Sequence, residues 1–490
     1  MRSGYLKVKE GKEKKENGKW TLFGLTLIVC VASVPLMTGY LLEGGDLRAS
    51  LGRIEAVSQG LGHFFPVRTG ICPVPDFGYG AVSFQADVFY LIPAVFRLFG
   101  MGLGTAYGLS LFLANLGTAL VAFHCFEKCF GRWDIAMAGS MLYTWCPCRL
   151  DELYVNGNLG NIVAWTFLPL ILSGIIRLYS MEQERKEYDN LWIPFTWGFS
   201  LLAVSSTSIL FVTVGMVVLA VLCMGRRSLR KRTLLVLGRT AVFSLLLNAW
   251  FLIPMLLRLR DAANVEMLLS RDFQALGTYY VQYLSVYHWG GRDTSYFENG
   301  LAGARAMGPG IAVTALVIFR LWILFTGRYE QKEEKAVFAN RMLWLCLVLI
   351  FLSSCRFPWD LFEDRNMLCS ILLAMLQTPT KWTVPACVCL VAIACVTLWQ
   401  AAGQETEKRV RILLFAATAA SLGTTQFFIG NLLKTGYYIC PEEIMLNVMS
   451  IPLVTQESMV WRMCEIISVL ALCGCLAMYI LRSRKSGENV

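Results

Sequence analysis

Residues 207–232 read TSILFVTVGMVVLAVLCM followed by GRRSLRKR, and this junction predicts the architecture of the whole chain. The apolar part is close in length to the roughly 20 helical residues that cross a hydrocarbon layer about 30 Å thick. The part that follows is rich in Arg and Lys. A basic loop directly after an apolar helix is typical of the cytoplasmic side of a membrane. The segment therefore predicts a membrane-spanning helix that ends in the cytoplasm.

The same pattern recurs along the chain of 490 residues, of which 56% are hydrophobic and 16% charged. An ordinary soluble domain has about 45–50% apolar and about 25% charged residues. We therefore predict an all-α, polytopic membrane protein with about 12 transmembrane helices. The predicted spans lie near residues 20–42, 103–126, 133–148, 159–179, 191–205, 207–224, 234–257, 306–326, 342–355, 382–401, 410–430 and 460–481.

The distribution of charge predicts the topology of the chain. The net charge is +10, and the basic residues sit in short loops between apolar segments, which favours a membrane topology signal over nucleic-acid binding. We expect a multi-pass plasma-membrane protein with both termini in the cytoplasm. Its predicted parts are a basic tail at 1–19, one membrane domain at 20–482 with outer loops 43–102, 258–305, 356–381 and 431–459, and a tail at 483–490.

Two segments of the outer loops predict helices that lie at the membrane surface. Ser83 to Gly100 and Trp359 to Gln377 mix charged with apolar side chains and are too polar or too short to span. Both segments fall on the outer side in the predicted topology.

The cysteines and the acidic pairs predict neither a metal site nor a cofactor. Most of the 17 cysteines lie within apolar segments, where a thiol packs as a small hydrophobic group. Cys146 and Cys148 form a close pair without the spacing or the second pair of a zinc site. Asp151 and Glu152 are adjacent, but they do not form a DxD motif.

The first outer loop carries the residues most suggestive of chemistry. Asp46 lies just beyond the first apolar segment, at the boundary between the membrane and water. A carboxylate at such a boundary can act as a general base on an acceptor hydroxyl. The alternative is that the charged residues of this loop only keep it solvated.

The order of several short motifs resembles that of the GT-C-fold glycosyltransferases, which use polyprenyl-phosphate-linked sugars. The resemblance is greatest to the bacterial YfhO-type branch and its 6-pyruvoyl-tetrahydropterin synthase-related multipass membrane proteins. It rests on Asp46, Arg53-Ile54, Pro66-Val67-Arg68, Gly78-Tyr79-Gly80, Phe84 to Gly100, Tyr143, Pro147, Arg149 to Tyr154, Gly157, Gly160, Pro169, Phe251 to Pro254 and Gln377 to Trp382.

Three positions depart from the pattern of that family. Gly45 stands where a histidine commonly precedes the acid, and the serine-rich run at 205–208 replaces a His-Leu pair. Lys381 stands in a motif that usually carries arginine. These departures bear on activity more than on fold.

The resemblance implies inverting transfer of a sugar from a lipid phosphate at the outer membrane face. Asp46 would be the general base. Arg53, Arg68 and Arg149 would bind the leaving phosphate, since a guanidinium matches phosphate with two hydrogen bonds, and Lys381 would do so as a point charge. His63 is predicted to lie outside and to line the same cavity. The expected partners are the lipid bilayer, the polyprenyl-phosphate-linked donor and an envelope acceptor that the sequence does not identify.

Two other functions remain open at the level of the sequence. A transporter or flippase for a lipid-linked substrate would have a similar composition, although transporters tend to place ionisable residues near the membrane midplane. A catalytically silent protein that retains the GT-C fold would also account for the departures from the family pattern.

The predicted topology can be tested with a single cysteine introduced at Leu229, in the basic loop. We expect no reaction with a membrane-impermeant thiol reagent in intact cells and full reaction after permeabilisation, because the positive-inside pattern puts this loop in the cytoplasm. A cysteine in place of Tyr287 is the matched control and should react in intact cells. Labelling at 229 without permeabilisation would reverse the topology.

Overall fold

The computed structural model describes residues 18–39, 41–42, 45–61, 69–72, 86–185, 187–260, 265, 273–286, 305–327, 329, 333–362, 366–435, 438–439, 449–452 and 458–487. Helices dominate these residues. They are α1 Gly18–Ala32, α2 Leu47–Leu61, α3 Leu91–Leu98, α4 Leu103–Phe130, α5 Trp133–Thr144, α6 Pro147–Asp151, α7 Leu159–Ser180, α8 Trp192–Ser205, α9 Thr207–Met224, α10 Lys231–Arg258, α11 Ile311–Thr326, α12 Glu334–Ser353, α13 Met367–Leu376, α14 Thr383–Gln404, α15 Glu407–Thr435 and α16 Ser458–Gly487.

Shorter elements connect these helices. A π turn, Glu152–Asn156, continues α6. The 3₁₀ turns are Val34–Thr38, Tyr188–Asn190, Gly225–Arg227, Phe273–Leu276, Tyr280–Tyr283, Trp359–Phe362 and Pro379–Trp382. The strands are β1 Leu41–Leu42, β2 Thr69–Cys72, β3 Tyr438–Ile439 and β4 Met449–Pro452.

The chain is a multi-pass membrane protein with an all-helical transmembrane part. Eight helices of the described chain are long and apolar enough to cross a bilayer, and α1, α5, α8 and α11 are shorter helices at four further predicted positions. Large apolar side chains such as Phe325 (89% exposed) and Phe415 (76%) point away from the protein, as expected for helices in contact with lipid. The number of twelve spans stays a prediction.

Two predicted spans end four or more residues earlier than the sequence pattern suggested, and proline explains both differences. The apolar run that starts at Trp20 is helical only to Ala32, because Pro35 lies in the first turn of the 3₁₀ turn Val34–Thr38 that follows. The run at 133–148 stops at Thr144, and Pro147 starts the separate short helix α6. Proline removes a backbone donor and disfavours helical conformation in the residue before it.

The helix α14 is the centre of the bundle. The span at Pro379–Gln404 has 89% of its most apolar window buried inside the protein, against 17% for the span at Met459–Ala477. Small side chains allow its neighbours to approach, as small residues do between membrane helices. All cysteines of the described residues are free, and Cys387, Cys389 and Cys395 of α14 are fully buried.

Two short antiparallel ladders join segments at the side of the bundle that the sequence predicts to be the outer one. Leu41 and Leu42 of β1 pair with Ile439 and Tyr438 of β3. In the second ladder, β2 pairs with β4 over four residue pairs. The first and last outer loops of the predicted topology therefore meet. The loop 43–102 also contains α2, a helix that the sequence did not predict.

The two predicted surface segments contain short helices with exposed apolar side chains. In the first, α3 is followed by Phe99, which is 81% exposed. In the second, Leu368 of α13 is 65% exposed. Such exposure suits helices that lie in the headgroup region of a bilayer.

Close packing between helices makes a specific prediction at Gly139. A Cβ atom there would lie 2.8 Å from Phe126 Cδ2 and 3.0 Å from Cys395 Sγ, whereas one at Gly238 would have nothing within 4 Å. We expect Gly238→Ala to leave the unfolding temperature equal or raise it, because alanine favours helix by up to about 1 kcal/mol. Gly139→Ala should lower the unfolding temperature, because overpacking reduces the free energy of unfolding by about 1–3 kcal/mol. Thermal unfolding in detergent checks both variants, and equal behaviour would contradict this packing.

Candidate functional site

Asp46 lies at the start of α2 and is bound to the segment that follows the π turn. Its backbone N–H donates to Asn156 O at 2.7 Å. Its Oδ2 accepts from the side-chain amides of Asn156 at 3.3 Å and Asn158 at 3.1 Å. The side chain is half-buried. Among the described residues no hydrogen bond is made by Oδ1, so this oxygen is the one that could accept a proton.

A second carboxylate lies beside Asp46 and shares its amide donor. Asn156 Nδ2 also donates to Glu152 Oε1 at 2.6 Å. The same oxygen accepts from Asn161 Nδ2 at 2.9 Å, and Asn161 is in the first turn of α7. One amide thus bridges two acids that come from different segments of the chain. The sequence predicted the first of these acids as functional but assigned no role to Asn156.

The break between α8 and α9 closes another side of the cluster. Ser206 Oγ donates to Asn161 Oδ1 at 2.7 Å and accepts from the backbone N–H of Ile209, which caps α9. Gly160 permits this approach, because a Cβ atom there would be 2.5 Å from Ser205 O. The serine run that departs from the family pattern therefore orients the asparagine that holds Glu152.

Two cations lie on the other side of Glu152. Arg305 binds Asp151 Oδ2 through Nε at 2.6 Å and Nη2 at 2.5 Å, and its Nη2 is 3.6 Å from Glu152 Oε2. Burial raises the pKa of Glu152, but the charges of Lys381 and Arg305 and the two asparagine amides outweigh it and hold the pKa below its usual value. Lys381 is half-buried. The site thus places three carboxylates, those of Asp46, Asp151 and Glu152, near two positive charges.

The arginines singled out from the sequence have other surroundings. Arg53 of α2 forms a buried ion pair with Asp87, and its guanidinium lies 4.6 Å from the centre of the Tyr90 ring. Arg149 is 1% exposed, and its terminal nitrogens donate to Thr144 O, Asn115 Oδ1 and Thr118 Oγ1. Both guanidinium groups are engaged by the protein, which makes them anchors of α2 and α6 in this structure.

Two predicted site residues, His63 and Arg68, lie outside the described residues. Sequence reasoning missed Asn156, Asn161 and Arg305. The two asparagines donate hydrogen bonds to the acids, and Arg305 is one of the two cations beside them. The Asn-Gly-Asn run at 156–158 was the available signal for the first of them, since such runs mark tight turns. Within the described chain, no group of three or more His, Cys, Asp or Glu side chains is arranged to hold a metal ion.

No model of a known protein family matches the chain, and no curated protein matches its sequence. Solved structures do match. The crystal structure of ArnT from Cupriavidus metallidurans bound to undecaprenyl phosphate has a TM-score of 0.50 and 12% identity, over 85% of this chain and 77% of that chain. The same enzyme in the apo state has a TM-score of 0.50 and 14% identity, over 85% and 76%.

A further match is the arabinofuranosyltransferase AftD from Mycobacteria, with a TM-score of 0.47 and 12% identity over 84% of this chain. This chain spans 27% of the length of AftD. The fold is that of the GT-C glycosyltransferases, as the sequence resemblance implied, on the strength of the ArnT match. Membership of the YfhO-type branch stays a prediction.

The lowered pKa of Glu152 predicts how its contribution to stability depends on pH. The carboxylate stabilises the native state above its usual pKa of 4.5, and this contribution is lost as pH falls through the lower native pKa. The wild type should therefore unfold at a higher temperature than Glu152→Gln near neutral pH. The difference should shrink on going to about pH 3. Glu182→Gln, at an exposed glutamate, should show no such difference at either pH.

Proposed function

We propose that the chain is a membrane glycosyltransferase that moves a sugar from a polyprenyl-phosphate donor to a cell-envelope acceptor at the outer face of the membrane. The single observation that carries this proposal is the Asp46–Asn156–Glu152 cluster. It joins two acids from separate segments by one amide, next to Lys381 and Arg305. The GT-C fold supports the reaction class.

Asp46 is the proposed general base. Its Oδ2 is fixed by two amide donors, which leaves Oδ1 to take the proton of the acceptor hydroxyl. The hydroxyl oxygen then bonds to the anomeric carbon, and the bond from that carbon to the phosphate oxygen breaks with its electron pair on the phosphate. Attack from the face opposite the phosphate inverts the anomeric centre. A base requires hydrogen-bond reach of about 2.6–3.2 Å to the proton it removes.

The leaving phosphate needs positive charge, and we propose that the two cations beside Glu152 supply it. Lys381 is half-buried, and its charge acts on Glu152. Arg305 is held by Asp151 and Glu152, so it is oriented beside the same carboxylate. We assign the phosphate to these two cations rather than to Arg53 and Arg149, because Lys381 and Arg305 are partly exposed, whereas Arg53 and Arg149 are buried. Arg68 and His63 stay proposals that rest on the sequence resemblance.

The nature of the donor rests on the fold and on the lipid environment. The structure of ArnT, which matches 85% of this chain, has been solved with undecaprenyl phosphate bound. A donor carried on such a lipid would reach the site from the bilayer that surrounds the helices. The Asp46 cluster is at the end of the bundle where α7 begins. The topology predicted from the sequence makes this end the outer one.

Replacement of the base tests the proposal directly. Asp46→Asn keeps the size of the side chain and removes the proton acceptor, so sugar transfer should fall by about 10² to 10⁴ at equal protein abundance. The measurement is transfer of radiolabelled sugar from membrane lipid to envelope acceptors, in membranes that contain equal amounts of each variant.

Asp134→Asn is the matched control, because Asp134 pairs with Arg132 at the opposite end of the bundle. It should retain wild-type transfer. Full transfer by Asp46→Asn would remove Asp46 as the base. If the wild-type protein shows no measurable transfer, whether or not it binds lipid-linked sugar, the result would instead favour a transporter or a silent GT-C protein.

A further inference from the structure

A second cavity lies at the end of the bundle opposite the Asp46 cluster. Its volume is about 560 Å³, within the range of about 300–1,000 Å³ that is usual for small-molecule sites. The helix α7 connects the two sites. Asn161 in its first turn donates to Glu152. Near its other end, Leu178 and Tyr179 line the cavity. Its 22 residues separate them by about 33 Å.

Charged side chains from three separate segments surround this cavity. Arg227, Arg230 and Arg232 come from the turn between α9 and α10 and from the start of α10. The acids are Glu182 and Glu184, which follow α7, and Glu334, the first residue of α12. The wall therefore offers both signs of charge.

The internal contacts of these groups leave part of the charge for a ligand. Arg227 is paired with Glu334, and Glu182 lies 3.5 Å from Arg185, which is outside the cavity wall. Arg232 donates to the backbone oxygen of Gln183. Within the described chain, the side chains of Arg230 and Glu184 make no hydrogen bond or ion pair. One positive and one negative side chain thus face the cavity without a counter-ion from the protein.

The charges at the start of α10 also favour a bound anion. Arg230 is its N-cap residue and makes no side-chain cap, and the first turn carries Lys231 and Arg232 without any acid. The amino end of a helix is its positive pole, so cations there are unfavourable and a phosphate is favourable. A helix of 28 residues that begins in this way would be stabilised by an anion bound beside Arg230.

Apolar side chains next to the cavity indicate where such an anion would come from. Leu222 at the end of α9 is 69% exposed, Leu229 in the turn is 72% exposed, and Leu234 in α10 is 48% exposed. Acyl chains of a lipid could lie along these residues while its headgroup entered the cavity. Basic pockets between membrane helices bind lipid headgroups in this manner.

We propose that this cavity binds a phosphate ester that also carries an amine, with the phosphate at Arg230 and Arg232 and the ammonium group at Glu184. An ethanolamine phospholipid in the leaflet opposite the Asp46 cluster is one source of this chemistry. A soluble amine-bearing phosphate ester is the other. The site is independent of the glycosyltransferase proposal, because it lies at the other end of the bundle.

The test uses the full chain in mild detergent, with binding followed by native mass spectrometry and by the rise in unfolding temperature. The probes are phosphatidylethanolamine, phosphatidylglycerol and soluble phosphoethanolamine. The cavity variant is Arg230→Gln with Arg232→Gln. The matched control is Arg226→Gln with Lys231→Gln, which removes the same charge from the same segment at residues that do not line the cavity. Each variant is compared with its own lipid-free state.

We expect phosphatidylethanolamine to bind the wild type and the control alike, and the cavity variant at least about tenfold more weakly, because charge-assisted hydrogen bonds to phosphate are lost. Competition by soluble phosphoethanolamine identifies the soluble source, and lack of competition identifies the lipid. Equal loss in both double variants would reduce the effect to general electrostatic attraction and overturn the site. Equal binding of phosphatidylglycerol would overturn recognition of the amine.

Discussion

The side-chain amide of Asn156 is the contact on which the candidate site depends. It donates to Asp46 and to Glu152, which approach it from different segments. The π turn that ends at Asn156 is followed by Gly157 at φ +76°, and a Cβ atom at Gly157 would lie 3.1 Å from the Cβ of Leu47. Glycine is therefore required twice, for its backbone conformation and for the close approach of α2.

Buried arginines fix the helices around this site. Arg149 joins α6 to α4 through Asn115 and Thr118, and Arg320 in α11 donates to Asn340 and to the backbone oxygen of Ala336 in α12. A guanidinium inside a membrane protein is costly unless its donors are satisfied. Removal of its oxygen partners would leave buried donors unpaired, so these contacts restrict how the helices can pack. Arg149 and Arg320 thus hold neighbouring helices together.

The sequence predicted the helices well because hydrophobic length is a local property. Each predicted span has a helix at its position, and the two spans that end much too early do so where Pro35 and Pro147 interrupt an apolar run. It did not predict α2, whose short sequence mixes polar with apolar residues and has no membrane-spanning character. A sequence pattern does not show which residues of the first loop pair with one another, so it predicts phosphate binding for Arg53, which pairs with Asp87 in the structure.

By itself, the sequence determined a multi-pass helical membrane protein, a GT-C resemblance and an acid, Asp46, just after the first apolar segment. Only the tertiary structure decided which side chains stand beside that acid. Asp46 and Glu152 are far apart in the chain, and Arg305 and Lys381 are farther still. Charges and hydrogen bonds act over a few ångströms in space, and no local pattern in the sequence encodes which distant loops will meet. The packing of helices around α14 brings those loops together, and this packing selects the partners of each buried charge.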